Sequence, residues 1–247
     1  SRKVGDFDPA SLPKRPVFDR RRQGREGLAF LLGVVAISSL FFVPIFPTFI
    51  LVDWLDAHDW MSLIPGDSAV SAAIRYFILA VPASAIMVVA TALLSAAIRW
   101  TALPRLQVGT WPVHSRFYYR KWFANQIQES SLQVLHGVYA TVYAPSWYRL
   151  LGAHVGRGAE ISTAMGVVPD MLTLGDESFI ADAVMLGDEE IAGGWMTLQP
   201  TVVGHRTFIG NGAYIPDGTT LPDNVLIGVQ SKAPEPPNIL NPGDTWF

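Results

Sequence analysis

Two side chains in this sequence are of a type and placement to move a proton: His205, two residues past Val203, and Asp182, two residues past Ile180. An imidazole titrating near its ordinary ~6.5 can act as a base at neutral pH. A carboxylate such as Asp182 can orient an imidazole or hold a cationic amine. Each also has a plainer role open to it, His205 as a solvent-facing corner and Asp182 as a turn cap. Asp170, Glu189, Glu190, Trp195 and Asn211 complete the candidate set as substrate-binding residues. His154 reads as structural or exposed. With no cysteine in the chain, disulfides, thiolate metal sites and a cysteine nucleophile are excluded. A zinc site built on imidazoles needs three of them, and His154 and His205 stand far apart, so no metal site is expected. No phosphate loop, Ser-His-Asp arrangement or dinucleotide fingerprint occurs.

These residues belong to a repeat. Aliphatics recur every six positions, as Val155, Ile161, Val167, then Leu174, Ile180, Leu186, then Val203, Ile209, Ile215, Leu221 and Ile227. The step from Val167 to Leu174 is seven and that from Leu186 to Val203 is seventeen; the slips cancel and the phase returns. Small or turn-forming residues follow most of the aliphatics, including Gly156, Gly175, Gly204, Gly210 and Pro216. A period of six fits neither a helix nor a flat strand. It fits a coil of short strands around a narrow prism, a solenoid whose stacked turns build one core. The irregular stretch at 188–196 is expected to leave the coil, and excursions of this kind often carry function.

The first half of the chain must position this coil. Half of all residues are hydrophobic and mean hydropathy is +0.28, so membrane spans are expected. Leu28 to Ile50 carries no charge and is long enough for a hydrocarbon core of ~30 Å; Pro44 and Pro47 should kink it or end it near the headgroups. A second span covers 74–98, with Pro82 expected to bend it. Between them lie Asp53, Asp56, Asp59 and Asp67 without a Lys or Arg, and Trp54 and Trp60 as interfacial anchors. Residues 1–128 hold 14 Lys and Arg against 8 Asp and Glu, whereas 129–247 hold 4 against 13. The basic flanks therefore place both termini and the coil in the cytoplasm, on a multi-pass cell-membrane protein.

The division that follows is a basic juxtamembrane segment at 1–27 and a transmembrane hairpin at 28–100. An aromatic and basic connector follows at 101–150, then the coil at 151–232 and a proline-rich exit tail at 233–247. The connector, with Trp111, Arg116, Phe117, Tyr118, Tyr119, Arg120, Lys121, Trp122 and Phe123, suits a helix lying on an anionic leaflet. A short further helix is expected at Ser131 to Tyr143. Nucleic acid is not an expected partner. The fold class is a two-helix transmembrane hairpin followed by an all-β left-handed parallel β-helix. The chain starts without methionine and reads as a piece of something longer.

Several runs carry a resemblance: Ala181-Asp182 after Phe179, Gly193-Gly194-Trp195-Met196, Phe208-Ile209-Gly210-Asn211, Pro216-Asp217-Gly218-Thr219 and Leu226-Ile227-Gly228-Val229-Gln230-Ser231. With the hairpin before them, they resemble one repeat from the C-terminal half of poly-amino-acid synthetases, the membrane-bound nonribosomal peptide synthetases of the ε-poly-L-lysine synthetase type. The coil itself resembles the hexapeptide-repeat acyltransferases. The resemblance implies amide-bond formation between a carrier-bound aminoacyl thioester and the amine of a free amino acid or growing chain, lysine or another diamino acid. It implies phosphopantetheine on a partner carrier domain, or alternatively coenzyme A. It also implies sister domains that complete a pseudo-trimer or homotrimer, in which this copy is either catalytic or a product-guiding scaffold. A thioester is already activated, so such a site needs positioning, one base and an oxyanion donor. The acidic second half would favour a cationic amine.

Overall fold

The computed structural model of the chain describes residues 20–40, 42–60, 68–103, 105–234 and 238–247. Most of the basic segment, residues 61–67 with Asp67, and Pro236 and Pro237 of the tail lie outside the described residues. Among the described residues the α-helices α1 (Arg20–Leu40), α2 (Ile45–Ala57), α3 (Ala69–Ala102), α4 (Arg116–Leu135) and α5 (Ala144–Leu151) precede the coil. The span expected at 28–50, with a kink or end at its prolines, has a turn at 42–44 between α1 and α2. Pro44 cannot extend α1, while Pro47 falls in the first turn of α2, where a missing N–H costs little. In contrast, α3 runs through Pro82 without a break, opened by the Ser68 hydroxyl accepting from Ser71 N at 3.2 Å. Arg20–Leu55 and Ala69–Ala102 are both long and apolar enough to cross a membrane. Along them Leu31, Phe46, Ile50, Phe77 and Val81 stand out exposed, as a lipid-facing surface would.

The connector is not a free leaflet-facing surface. Helix α4 packs on α3 and α1, and its aromatic residues grip α1. The Phe30 ring meets Trp122 and Tyr119 edge-on at 4.7 and 5.4 Å, and Tyr119 Oη donates to Ala29 O at 2.9 Å. Lys121 is 1% exposed, the opposite of a lipid-seeking lysine. The short helix expected at 131–143 is also displaced. Ser131 to Leu135 finishes α4, turns follow, and Pro145 sits at the start of α5.

The repeat folds as a three-sided parallel coil. One face stacks β2 (His154–Val155), β5 (Leu172–Leu174), β10 (Thr201–Val203) and β13 (Thr220–Leu221). The second stacks β3 (Glu160–Ile161), β6 (Phe179–Ile180), β11 (Phe208–Ile209) and β14 (Leu226–Ile227), and the third β4 (Ala164–Met165), β7 (Val184–Leu186) and β12 (Tyr214–Ile215). The register pairs Val155 with Leu174, Leu174 with Val203 and Val203 with Leu221, and on the second face Ile161, Ile180, Ile209 and Ile227 in turn. Ile180, Ile209, Ile215 and Ile227 are fully buried. Each such side chain is worth about 1.5–3 kcal/mol of burial. The glycine after the aliphatic is needed for close approach: a Cβ on Gly175 would lie 2.5 Å from His205 N, the backbone of the next turn.

One slip lies elsewhere than the spacing indicates. Ala164 pairs with Val184 and Met165 with Met185, so the first turn is short by a residue at its 162–163 corner. Val167 is thus carried one residue past the level of Leu186, although it is still buried. The stretch after Leu186 leaves the coil as β8 (Glu190–Ala192) and β9 (Trp195–Leu198), joined by Gly193 and Gly194, both at positive φ. Strand β1 (Gly109–Pro112) pairs antiparallel with β9, so the connector and the excursion share one small sheet. Met196 and Leu198 bury its inner face against Leu103, Leu106, Val168 and Met171. The tail does not leave the coil. After the prolines, β15 (Thr245–Trp246) pairs with β14, and Trp246 Nε1 donates to Lys232 O at 2.8 Å.

Helix α5 closes the open end of the prism. Trp147, Tyr148 and Leu151 bury against Ile161, Ala164 and Leu172, and Tyr148 Oη donates to Ala164 O at 3.2 Å. Arg99 at the foot of α3 is 3% exposed and bonds the Asp170 carboxylate, which also accepts from Leu106 N at 3.0 Å. Removing one partner of a buried pair leaves an uncompensated charge. Asp170→Ala is therefore expected to cost ~3–5 kcal/mol, read as a lowered thermal midpoint in detergent. An unchanged midpoint would show that Arg99 does not depend on it.

Candidate functional site

Several corners of the coil share one device. The residue two places after an inward aliphatic turns its side chain to accept a backbone N–H from a neighbouring turn. Asp176 Oδ1 accepts from Arg157 N at 2.7 Å, His205 Nδ1 from Asp176 N at 2.9 Å, and Asp223 Oδ1 from His205 N at 2.7 Å. On the next corner Asn211 Oδ1 accepts from Asp182 N at 3.2 Å. On the third, Asp217 Oδ2 accepts from Gln199 N at 2.8 Å. Such bonds satisfy amides that the tight corner would otherwise leave open.

This device sorts the residues singled out by sequence. His205 is a rung of the first corner ladder, with its ring 56% exposed. An Nδ1 that accepts a backbone N–H leaves the proton on Nε2, so the neutral ring offers no free lone pair to a substrate. Asp182 lies on a different corner. Its carboxylate accepts from the Ser162 hydroxyl and from Thr163 Oγ1 at 3.3 Å. The structure therefore does not bring His205 and Asp182 together. Asn211 is bound into the same ladder as Asp182. Asp170 is not a substrate ligand but half of the buried pair with Arg99. Trp195 opens β9 and pairs with Ala192 and Pro112.

Glu189 and Glu190 are brought together with residues the sequence did not mark. A cavity of about 700 Å³ opens at the third corner, lined by Asp188, Glu190, Asp217, Tyr214, Thr219 and Lys232 among others, with Asn238 to Leu240 of the tail along one side. Behind it Glu189 meets Lys121 Nζ at 2.6 Å, the two side chains 12% and 1% exposed. Beyond that contact, Lys121 Nζ and Glu189 Oε2 find no hydrogen-bond partner among the described residues. A second cavity of about 700 Å³, lined by Thr141, Arg149, Glu160, Ser162 and Phe179, lies beside α5. Arg149 there is spent on Val155 O and Gly156 O, so that cavity offers fewer free charges.

The electrostatics of the third corner are distinctive. Burial raises the Asp188 carboxyl to about 6, helped by the neighbouring Glu189 charge and opposed by Lys121. Burial likewise raises Asp217 to about 6, against the Gln199 N–H that favours its charged form. Burial holds the Lys121 ammonium below its usual range, against the pull of Glu189. Two half-buried carboxyls titrating near neutrality at a cavity are suited to exchange protons with an amine. Among the described residues no group of His, Asp and Glu is arranged to hold a metal ion.

No protein-family model matches the chain. It is 56% identical over 248 residues, its whole length, to the delta-poly-L-ornithine synthetase of Acinetobacter baumannii (strain AB307-0294). The chain spans 18% of that protein's length. The resemblance to poly-amino-acid synthetases is thus borne out, with ornithine rather than lysine in the relative's name. A crystal structure of a maltose O-acetyltransferase from Clostridium difficile 630 matches 64% of this chain and 82% of its own, at 16% identity and a TM-score of 0.32. A likeness that distant carries nothing further; the coil rests on its own register.

The raised Asp217 carboxyl has a measurable consequence for stability. The folded state binds its proton more tightly than the unfolded chain, so its contribution is full below pH ~4 and is lost as pH rises through about 6. Asp217→Asn keeps an acceptor for Gln199 N and removes that loss. Its thermal midpoint should fall less than that of the parent chain between pH 4 and 7; identical slopes would contradict the assignment.

Proposed function

We propose that this chain is a membrane-tethered, acyltransferase-like condensation segment of a larger poly-amino-acid synthetase, with the third-corner cavity as its acceptor site. Identity over its whole length to part of a synthetase of that kind is the observation that supports the activity. The cavity supports the site, because Asp188, Glu190 and Asp217 face a space of about 700 Å³ suited to a diamino acid. In this reading the acceptor is ornithine, with lysine as the nearest alternative, and the donor is an aminoacyl thioester on the phosphopantetheine of a carrier domain. The coil is wound left-handed and meets sister domains of the same polypeptide.

The chemistry asks little of the protein. The acceptor's neutral amine attacks the thioester carbonyl, a C–N bond forms, and Asp188 takes the proton that the nitrogen sheds as it does so. Collapse of the tetrahedral intermediate breaks the C–S bond, and the proton returns to the departing pantetheine thiolate. Asp188 is closer to an amine in proton affinity than an ordinary carboxylate, which is the benefit of its burial. Glu190 and Asp217 hold the second ammonium. In the parent polypeptide, with its carrier loaded, Asp188→Asn should lower the rate of chain formation by ~10²–10⁴-fold, the range for a lost acid–base group. Full activity would reject the site.

A scaffold role in a pseudo-trimer is the alternative. It is favoured by the corner ladders, which occupy His205, Asn211 and Asp182 with backbone amides and hydroxyls. Under that reading Asp188→Asn leaves synthesis intact while removal of the coil abolishes it.

The membrane topology we propose places the coil and both ends on the cytoplasmic side, following the basic flanks of the hairpin. Because the chain has no cysteine, single cysteines report cleanly. In intact cells Ala57→Cys should react with an impermeant maleimide, and Val229→Cys only after lysis. The reverse pattern would invert the topology.

A further inference from the structure

Lys121 reaches the third corner from α4, far away in sequence, and is almost wholly withdrawn from water where it meets Glu189. Glu189 adjoins Asp188, the carboxylate that lines the cavity. Gly166 of the preceding turn lets Asp188 pack close: a Cβ there would lie 2.7 Å from Asp188 Cβ. A buried ion pair contributes little net stability compared with apolar residues of the same volume, but it strongly biases any titratable neighbour.

We propose that Lys121 and Glu189 are positioning residues for Asp188, a buried charge pair that holds it facing the cavity and sets its readiness to take a proton. This rests on the reading of the cavity as the acceptor site. The groups acting on Asp188 can be named from every side. Glu189 comes from the excursion and Lys121 from α4, with Arg99 of α3 repelling Lys121; Tyr118 of α4 faces Glu189, and Glu190 of the excursion lines the same cavity. Asp217 comes from the next turn, coupled through Glu189, and Lys232 lines the same cavity. Around Asp188 the cation and the carboxylate of the pair pull in opposite directions. Loss of Lys121 leaves the carboxylates uncompensated, so the cluster ionises at higher pH. Loss of Glu189 leaves Lys121 acting on Asp188 alone, so it ionises at lower pH.

The test compares Lys121→Met with Glu189→Gln by two readouts. One is the pH dependence of chain formation in the parent polypeptide with a loaded carrier. The other is the carbon-13 titration of the Asp188 carboxyl in the detergent-solubilised chain, assigned with Asp188→Asn. The expected result is a shift of about one pH unit upward for Lys121→Met and downward for Glu189→Gln, with Lys121→Arg close to the parent. The double change Lys121→Met with Glu189→Gln removes both charges and serves as the folded control should a single variant not fold; its titration should lie between those of the two single variants. Shifts in the same direction, or none, in the carboxyl titration would overturn the positioning role whatever the activity does. Opposite shifts with unaltered synthesis would uphold it while removing the cavity as acceptor site.

Discussion

Lys121 and Glu189 face each other at 2.6 Å with almost no water around them, and that contact joins the two halves of the chain. Lys121 belongs to a helix gripped by α1 through Phe30, Tyr119 and Trp122. Glu189 belongs to an excursion that exists only because the coil breaks its period after Leu186. Neither charge is tolerable alone in that position. The helix layer, the small sheet of β1, β9 and β8, and the third corner of the coil must therefore assemble together. Arg99 and Asp170 repeat the device at the foot of α3, so the prism is held to the helices by two buried charge pairs.

That constraint explains why the third corner differs from the other two. On the first corner the slot two residues past the aliphatic holds Asp176, His205 and Asp223, all engaged in a ladder with backbone amides. On the third corner the same slot holds Asp188 and Asp217, but there the excursion and the tail enclose the side chains. The same residue type in the same position is an exposed turn acceptor at Asp176 and, at Asp217, a turn acceptor that is also a raised carboxyl beside a cavity. Burial makes the difference, not identity.

The coil was legible from residue spacing because each inward aliphatic is fixed by its own turn, and Ile161, Ile180, Ile209 and Ile227 stack as their period requires. The place of a slip was less legible: one residue inserted before Leu174, or one missing at 162–163 and two inserted further on, give the same total. Of the candidate site, Glu190 lines the cavity and Glu189 lies against it, whereas His205 and Asp182 fall on separate corners. Asp188 and Asp217 shared the diagnostic slot, yet spacing cannot say which corner will be covered. Lys121 gave no signal at all. Set among Arg116, Arg120 and five aromatic residues, it read as a leaflet contact, and only the packing of α4 against the excursion turns it inward.

The helices that can cross a bilayer are gripped by α4, and α4 reaches the excursion beside the acidic cavity through Lys121 and Glu189. The most direct measurement is a structure of the parent polypeptide in lipid nanodiscs with L-ornithine bound. Ammonium nitrogens within hydrogen-bond distance of Asp188, Glu190 or Asp217 are the predicted result. Ornithine seated at the His205 or Asp182 corners instead, with the third-corner cavity empty, would contradict it.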